Sequence, residues 1–406
     1  MYAQKKHNQS ILRSKQAFYL YMLVLGLLSG WSNITWLHQL CAVIAEIFIK
    51  LFQCMSLPVI SLSIIVTLAN YKTEAMMSTN WYKVISYTFS TTLIAATISC
   101  LLYILIHPAL PASAQHITSQ LPTNNFNYLA HISNLIPQTL LSPFLQQQVI
   151  AVLFLSIIFG LAIRNIADDT TQQYMRQLFQ GLHSMLIVVI HWIVLIIPIA
   201  MFSFISVTVQ QLHTGIALQG IGYYLLVIVL ANLIQGLIVL PLWLKLKGLQ
   251  PFKIMQAMLP ALSLAFFSKS SVGTLPVTMK TAEANLNINP QLSRFMFPLC
   301  TSLNMNGCAA FIFTTVIYLM QNDGIIVSYS MMGLWIAIAT IAAIGNAGVP
   351  MGCFFLSASL LSGMHVSITL MGIILPFYGL IDMLETALNV WSDTCVISVV
   401  NYNSNG

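Results

Sequence analysis

The sequence predicts an all-α polytopic membrane protein, with about eight transmembrane helices plus two re-entrant helical hairpins. Three observations predict it. Of 406 residues, 58% are hydrophobic and only 6% are charged, whereas soluble domains carry about 25% charged residues. Almost uncharged apolar stretches recur at Phe18–Leu27, Trp36–Leu68, Val84–Leu105, Val149–Ala162, Met185–Phe204, Gly222–Leu244 and Phe311–Met320; a span needs about 20 apolar residues, or slightly fewer with adjacent help. Two more apolar segments, both in the second half, are interrupted in mid-course by Gly and Pro.

The first half reads as helices joined by short basic loops. Lys5, Lys6, Arg13 and Lys15 precede the first helix. Lys72 and Lys83, then Arg164 and Arg176, then Lys245, Lys247 and Lys253 fall in alternate connections. The intervening loops Pro108–Gln148 and Gln210–Gly220 contain no Lys or Arg. Positive residues collect on the cytoplasmic side, so both termini are expected inside. The net charge of +6 is therefore a topology signal, and no nucleic-acid partner is expected. Phe126–Leu145, within the long Pro-, Asn- and Gln-rich loop, is expected to lie along the outer surface. The first apolar stretch runs straight into spanning segments, so no cleavable signal peptide is expected. The seven cysteines show no CxxC or metal-ligand spacing, so neither a disulfide framework nor a zinc site is read from them.

After Lys253 the pattern changes. One break runs from Ser268 to Pro276 and the other from Ala342 to Pro350. Non-helical backbone at membrane depth leaves amides unpaired unless it is buried in protein or lines a wet cavity. A pair of such segments in corresponding positions points to a transporter's binding site. Each is read as a re-entrant hairpin.

Nine carboxylates occur in the chain, and Asp382, Glu385 and Asp393 share the last apolar helix. With Asn389 they stand at i, i+3, i+7 and i+11, which at about 100° per residue places all four within about 80° of one another. Thr386 flanks the stripe. A mid-membrane charge costs about 2.5–3.5 kcal/mol on insertion scales, so three carboxylates would cost roughly 8–10 kcal/mol without partners. Bound cations, a substrate ammonium or protons must offset that. A second polar interruption, Ser302–Cys308, puts Asn304 and Asn306 beside Gly307. It suggests local unwinding, with carbonyl and amide oxygens that suit a hard cation such as sodium. Glu46 and Lys50, at i,i+4 on the second helix, are expected to neutralise one another. The histidines lack paired spacing, and no nucleophile elbow, Walker loop or dinucleotide fingerprint is present. That weighs against an enzyme or an ATP-driven pump.

These interruptions carry a resemblance. Ser270-Ser271-Val272-Gly273-Thr274-Leu275-Pro276-Val277-Thr278 resembles the serine-rich first hairpin of the glutamate transporter family, the dicarboxylate/amino acid:cation symporters. Asn304-Met305-Asn306-Gly307-Cys308 resembles the NMDGT signature of that family's seventh helix. Ile344–Pro350 resembles its second hairpin, and Asp382–Asp393 its eighth helix. Weaker similarity covers most of the chain.

The resemblance implies one membrane unit over 1–405 in a homotrimer working by an elevator mechanism in the cell inner (plasma) membrane. Segments 17–70 and 147–208 would form a fixed scaffold; 80–108, 217–245 and 256–400 would form a moving transport domain with hairpins at about 257–283 and 330–364. Ser270, Ser271, Met305, Cys308, Val349, Asp382, Glu385, Thr386 and Asn389 would line the substrate site, with Asp382 on the ammonium and Asn389 on the carboxylate. Thr91, Thr92, Cys300, Ser302, Asn304, Met305, Asn306, Asn389 and Asp393 would supply sodium ligands. No cofactor is implied beyond transported sodium ions or protons.

Two departures bear on specificity. Glu385 stands where carriers of acidic substrates place an arginine, and it would repel a side-chain carboxylate. Cys308 replaces the signature's threonine. The substrate is therefore expected to be neutral or cationic rather than acidic, with Glu385 paired either to Lys269 or to the substrate. Asn306 replaces the signature's aspartate, which predicts fewer coupled sodium ions or coupling to protons. A channel-like or sensory protein with a degenerate site is the alternative.

Overall fold

A computed structural model of the chain describes residues 21–32, 34–69, 78–108, 137, 139–146, 149–213, 220–344, 349, 351–364 and 366–405. The basic N-terminal stretch, most of the Pro108–Gln148 loop and the tip of the second hairpin at 345–348 lie outside the described residues. Every regular element among the described residues is helical. Besides the single helical turn Ser142–Leu145, they are in chain order α1 (Tyr21–Trp31), α2 (Thr35–Ala69), α3 (Ser78–Ile106), α4 (Val149–Arg164), α5 (Asp169–His213), α6 (Ile221–Leu246), α7 (Pro251–Ser268), α8 (Ser271–Leu286), α9 (Pro290–Leu303), α10 (Asn306–Asn322), α11 (Tyr329–Ile344), α12 (Gly352–Gly363) and α13 (Thr369–Asn405).

Four stretches are long and apolar enough to cross a membrane: Tyr82–Ile106, Ile221–Leu246, Pro290–Asn322 and Leu370–Tyr402. A fifth is α5, if its halves Asp169–Ile193 and Leu195–Val207, bent by 49°, count as one span. The bend has a cause: the Pro198 ring crowds the carbonyl four residues back, at position 194. Shorter apolar helices, α1 and α4 among them, accompany these spans.

Packing follows two centres. α2 lies against α4 and α5, with the Ser156 hydroxyl donating to Ser61 at 2.8 Å between α4 and α2. α3, α6 and α11 to α13 pack on α10, whose residues from Asn306 to Met320 are all buried, and α9 lies against α3, α8 and α13. α12 touches α2 and α4, and α13 touches α5, so these helices join the two centres. Glu46 and Lys50 form the expected ion pair, at 2.6 Å, on an exposed face of α2.

The first hairpin is tighter than its sequence break suggests. Only Lys269 (φ 55°) and Ser270 (φ −145°, ψ 103°) leave the helical conformation, and α8 already begins at Ser271. The expected break at Ser268–Pro276 is thus corrected to two residues. Ser270 ends it as an N-cap, accepting from Gly273 N at 3.0 Å. α7 and α8 pack on each other. α11 and α12 both rest on α10 instead, and Met351 (φ 55°) leads into α12.

Small residues set the α1–α5 contact. A Cβ added at Gly26 would lie 2.9 Å from Phe202 O, and one at Gly30 would lie 2.7 Å from Ser206 O. Beside them the Ser29 and Ser206 hydroxyls are hydrogen-bonded at 2.9 Å. This small-residue spacing at i,i+4 brings helix backbones together where lipid supplies no hydrophobic drive. Gly30→Leu is expected to part α1 from α5 and destabilise the protein by about 1–3 kcal/mol. Thermal denaturation in detergent, compared with Gly181→Leu, where the added Cβ meets nothing, measures this.

Candidate functional site

The site forms where the helix between α9 and α10 is interrupted. Asn304 (φ −94°, ψ 78°) and Met305 (φ −108°, ψ 61°) leave the helical conformation, as the Asn-Met-Asn-Gly pattern predicts. α13 crosses this gap, and Gly307 permits the close approach. A Cβ at Gly307 would stand 2.7 Å from Glu385 Cα, 2.9 Å from Glu385 Cβ and 3.0 Å from Asn232 Oδ1. Asn389, one turn along α13, accepts from Gly307 N at 2.9 Å and so caps α10. Its amide nitrogen lies 3.5 Å from both Met305 Sδ and Cys308 Sγ.

On the α3 side of the gap lies a closed set of amides and hydroxyls. Asn304 Oδ1 accepts from Thr91 at 3.0 Å and from Asn306 Nδ2 at 2.7 Å. Ser392 Oγ accepts from the amide nitrogens of Asn304 and Asn306, both at 2.8 Å. Gln235 donates to Asn306 Oδ1 at 2.6 Å and to the Thr91 carbonyl at 3.1 Å. Gln235 opens a π-helical turn, Gln235–Val239, in α6. Such turns concentrate at functional sites because they re-aim a side chain. The freed Gly236 carbonyl accepts from Trp391 Nε1 at 3.0 Å.

The carboxylates of α13 face inward. Glu385 and Asp393 are each 1% exposed. Asp393 Oδ2 accepts from Thr301 at 3.0 Å, whereas Asp393 Oδ1 is buried without a hydrogen-bond partner. Glu385 Oε2 is met by the Tyr378 hydroxyl at 3.5 Å, and Glu385 Oε1 has no hydrogen-bond partner. Asp382 is half-buried at the end of the stripe. Among the described residues the only ion pair is Glu46–Lys50, so Lys269 and Glu385 are not paired. Lys269 is instead near Gly379, where an added Cβ would lie 3.3 Å from its ammonium. Glu385 and Asp393 therefore each keep an oxygen for a partner that the described residues do not provide, the arrangement that suits a guest cation, ammonium or proton.

Comparison with known proteins fits this geometry. The sodium:dicarboxylate symporter family matches residues 17–402. The chain belongs to that family. It is accordingly a multi-pass membrane protein of a cation-coupled amino acid and dicarboxylate symporter family, and not an enzyme. The human neutral amino acid transporter B(0) is 27% identical over 247 residues, which is 60% of this chain and 45% of the relative. The human neutral amino acid transporter A is 24% identical over 256 residues, 63% and 48% of the two chains. A putative sodium-dependent excitatory amino acid transporter of Caenorhabditis elegans, glt-4, is 28% identical over 254 residues, 62% and 50%. The matched region spans about half the length of these relatives.

The structure gathers some expected residues and separates others. Thr91, Asn304, Asn306 and Asn389 meet at the α9–α10 gap with Met305 and Cys308. Thr92 is buried but donates into its own helix, to Thr88 O at 2.9 Å. Ser302 likewise donates to Pro298 O at 3.0 Å, and the Cys300 carbonyl accepts from Asn304 N at 2.7 Å. Ser270 is engaged in capping, while Ser271 opens α8. Val349 is half-buried against the main apolar core, and Thr386 is buried on α13. Sequence reasoning missed Asn232, Gln235, Thr301 and Ser392. The polar pair Asn232 and Gln235, inside the otherwise apolar α6, was the available signal.

Replacement of Gly307 by Ala drives a methyl group into the α13 backbone, where no flexible side chain can yield. The expected result is a loss of about 1–3 kcal/mol in stability, measured as a lowered midpoint of thermal unfolding in detergent.

Proposed function

We propose that this symporter imports a small neutral amino acid together with sodium and/or protons, by an elevator motion. The observation that carries the reading is Glu385, buried at the heart of the site with no ion pair to a cationic side chain among the described residues. A substrate side-chain carboxylate brought beside it would meet like charge in a low-dielectric setting, at a cost of several kcal/mol. The named activities of the two human relatives, both neutral amino acid transporters, support the same choice. Asp382, nearer the edge of the stripe, suits the substrate ammonium, and Asn389 its carboxylate. Asp393, with its unpartnered oxygen beside Thr301, suits a sodium ion.

The packing supports the division of labour. α1, α2, α4 and α5 act as the scaffold; α3 and α6 to α13 move, with α11–α12 as the outer gate. The homotrimer is carried over from the family resemblance alone. The alternation of basic connections supports termini on the cytoplasmic side of the inner membrane.

The α3-side cation site is filled by the protein itself. The Asn306 amide nitrogen lies 2.7 Å from Asn304 Oδ1, 2.8 Å from Ser392 Oγ and 3.4 Å from Thr91 Oγ1. Three oxygens that would converge on a cation converge on an uncharged NH2 group. One fewer charge then crosses per cycle, which forgoes about 2.3 kcal/mol per 100 mV of membrane potential without abolishing coupling.

Two measurements test these readings. Calorimetry on purified protein should show serine, threonine or alanine binding with a sodium dependence, while glutamate and aspartate stay silent. Glu385→Gln should keep neutral binding within about tenfold, or about 1.4 kcal/mol. Tight aspartate binding would overturn the substrate class, and lysine or arginine binding lost in Glu385→Gln would reassign it to cationic amino acids. Ionic current without substrate flux would favour a channel-like protein instead. Separately, Asn306→Asp should steepen the dependence of uptake on sodium concentration; an unchanged slope would remove the self-filled site.

A further inference from the structure

Cys308, Cys353 and Glu385 come from three different helices, yet their Sγ and carboxylate oxygen atoms all lie within 4.8 Å of one another. All three residues are buried, at 6%, 2% and 1% exposure. Cys308 sits in the first turn of α10, Cys353 at the start of α12 and Glu385 in the middle of α13. Met305 Sδ adds a third sulfur, 3.9 Å from Cys308 Sγ. Glu385 Oε1 has no hydrogen-bond partner among the buried atoms around it. Nothing in the cysteine spacing announces this cluster, because 45 residues separate the two thiols.

We propose that these side chains form a binding site for a thiophilic metal ion, of the class of zinc(II), distinct from the hard-cation ligands around Asn304 and Asp393. Two thiolates and a carboxylate are the donor set that soft and borderline d10 cations select, whereas sodium takes oxygen. Zinc bonds of about 2.0–2.3 Å place tetrahedral ligands roughly 3.3–3.8 Å apart, so side-chain shifts of about 1 Å or less complete the shell. A water or the Met305 thioether takes the fourth position. On binding, each thiol releases its proton and the metal takes the sulfur lone pair, so affinity rises with pH. The ion would draw two neighbouring thiols and the free oxygen of Glu385 into one coordinated centre.

The centre would tie α12 to α10 and α13. Its effect on transport rests on the proposed role of α11–α12 as the gate: a bound ion holds the gate closed and stops the cycle. The existence of the site does not rest on that role.

Cadmium(II) is the probe, added to fully reduced, metal-free protein in detergent. One equivalent per chain should produce a thiolate-to-cadmium charge-transfer band in the ultraviolet, zinc should compete for it, and Cys308→Ser or Cys353→Ser should remove it. No band in the wild-type protein, or a band that survives the double variant, overturns the site. In proteoliposomes, cadmium or zinc should inhibit uptake by the wild-type protein at least tenfold more strongly than uptake by Cys353→Ser. Retained uptake by that variant shows that it has folded. A saturable band with unimpaired uptake would leave the site standing and overturn the gate.

Discussion

The close contact between α13 and the α9–α10 gap governs this molecule. An interrupted helix inside a membrane protein exposes backbone groups that lipid cannot satisfy. Here they are met from α13 and α3. Asn389 takes the Gly307 amide, while Asn304, at the end of α9, is held by Thr91 and Ser392. The contact requires a residue without a Cβ at position 307, because the Glu385 backbone occupies that space. Drawn in by the same contact, the acidic stripe of α13 becomes a buried lining.

Burial then creates two chemically different neighbourhoods a few residues apart. Toward α3 the groups are neutral and hydrogen-bonded to one another through the amides of Asn304, Asn306 and Gln235, with Gln235 Oε1 left without a hydrogen-bond partner. Toward α12 they are acidic and sulfur-rich, with Glu385 facing Cys308 and Cys353. A connected network of this kind favours its own arrangement. A buried carboxylate with a free oxygen is costly until something neutralises it. The first neighbourhood therefore holds the helices in register, and the second is the one that the proposed function gives to guests.

The helical class, the inward acidic stripe and the unwinding at Asn304–Met305 were all legible in the chain. Each is a local property: hydropathy over a span-length window, the angular period of a helix, or the clustering of Asn and Gly. The extent of the first hairpin break was overread, since Gly273 and Pro276 are tolerated inside α8 once Ser270 caps its first turn. The pairing of Lys269 with Glu385, an open alternative on sequence grounds, does not form; the hairpin tip sets the ammonium beside Gly379 instead.

By itself the sequence determined that this protein crosses a membrane on helices, that a few of those helices are broken, and that one of them carries charge which lipid would not accept. Those properties follow from residue order along single helices. Only the tertiary structure decided which atoms meet. Gln235 reaches Asn306 through a π-helical turn, Thr91 joins the gap while Thr92 turns back into its helix, and Cys353 lands beside Cys308 and Glu385. Such meetings depend on the relative placement of helices far apart in the chain, and no periodicity within one helix encodes that.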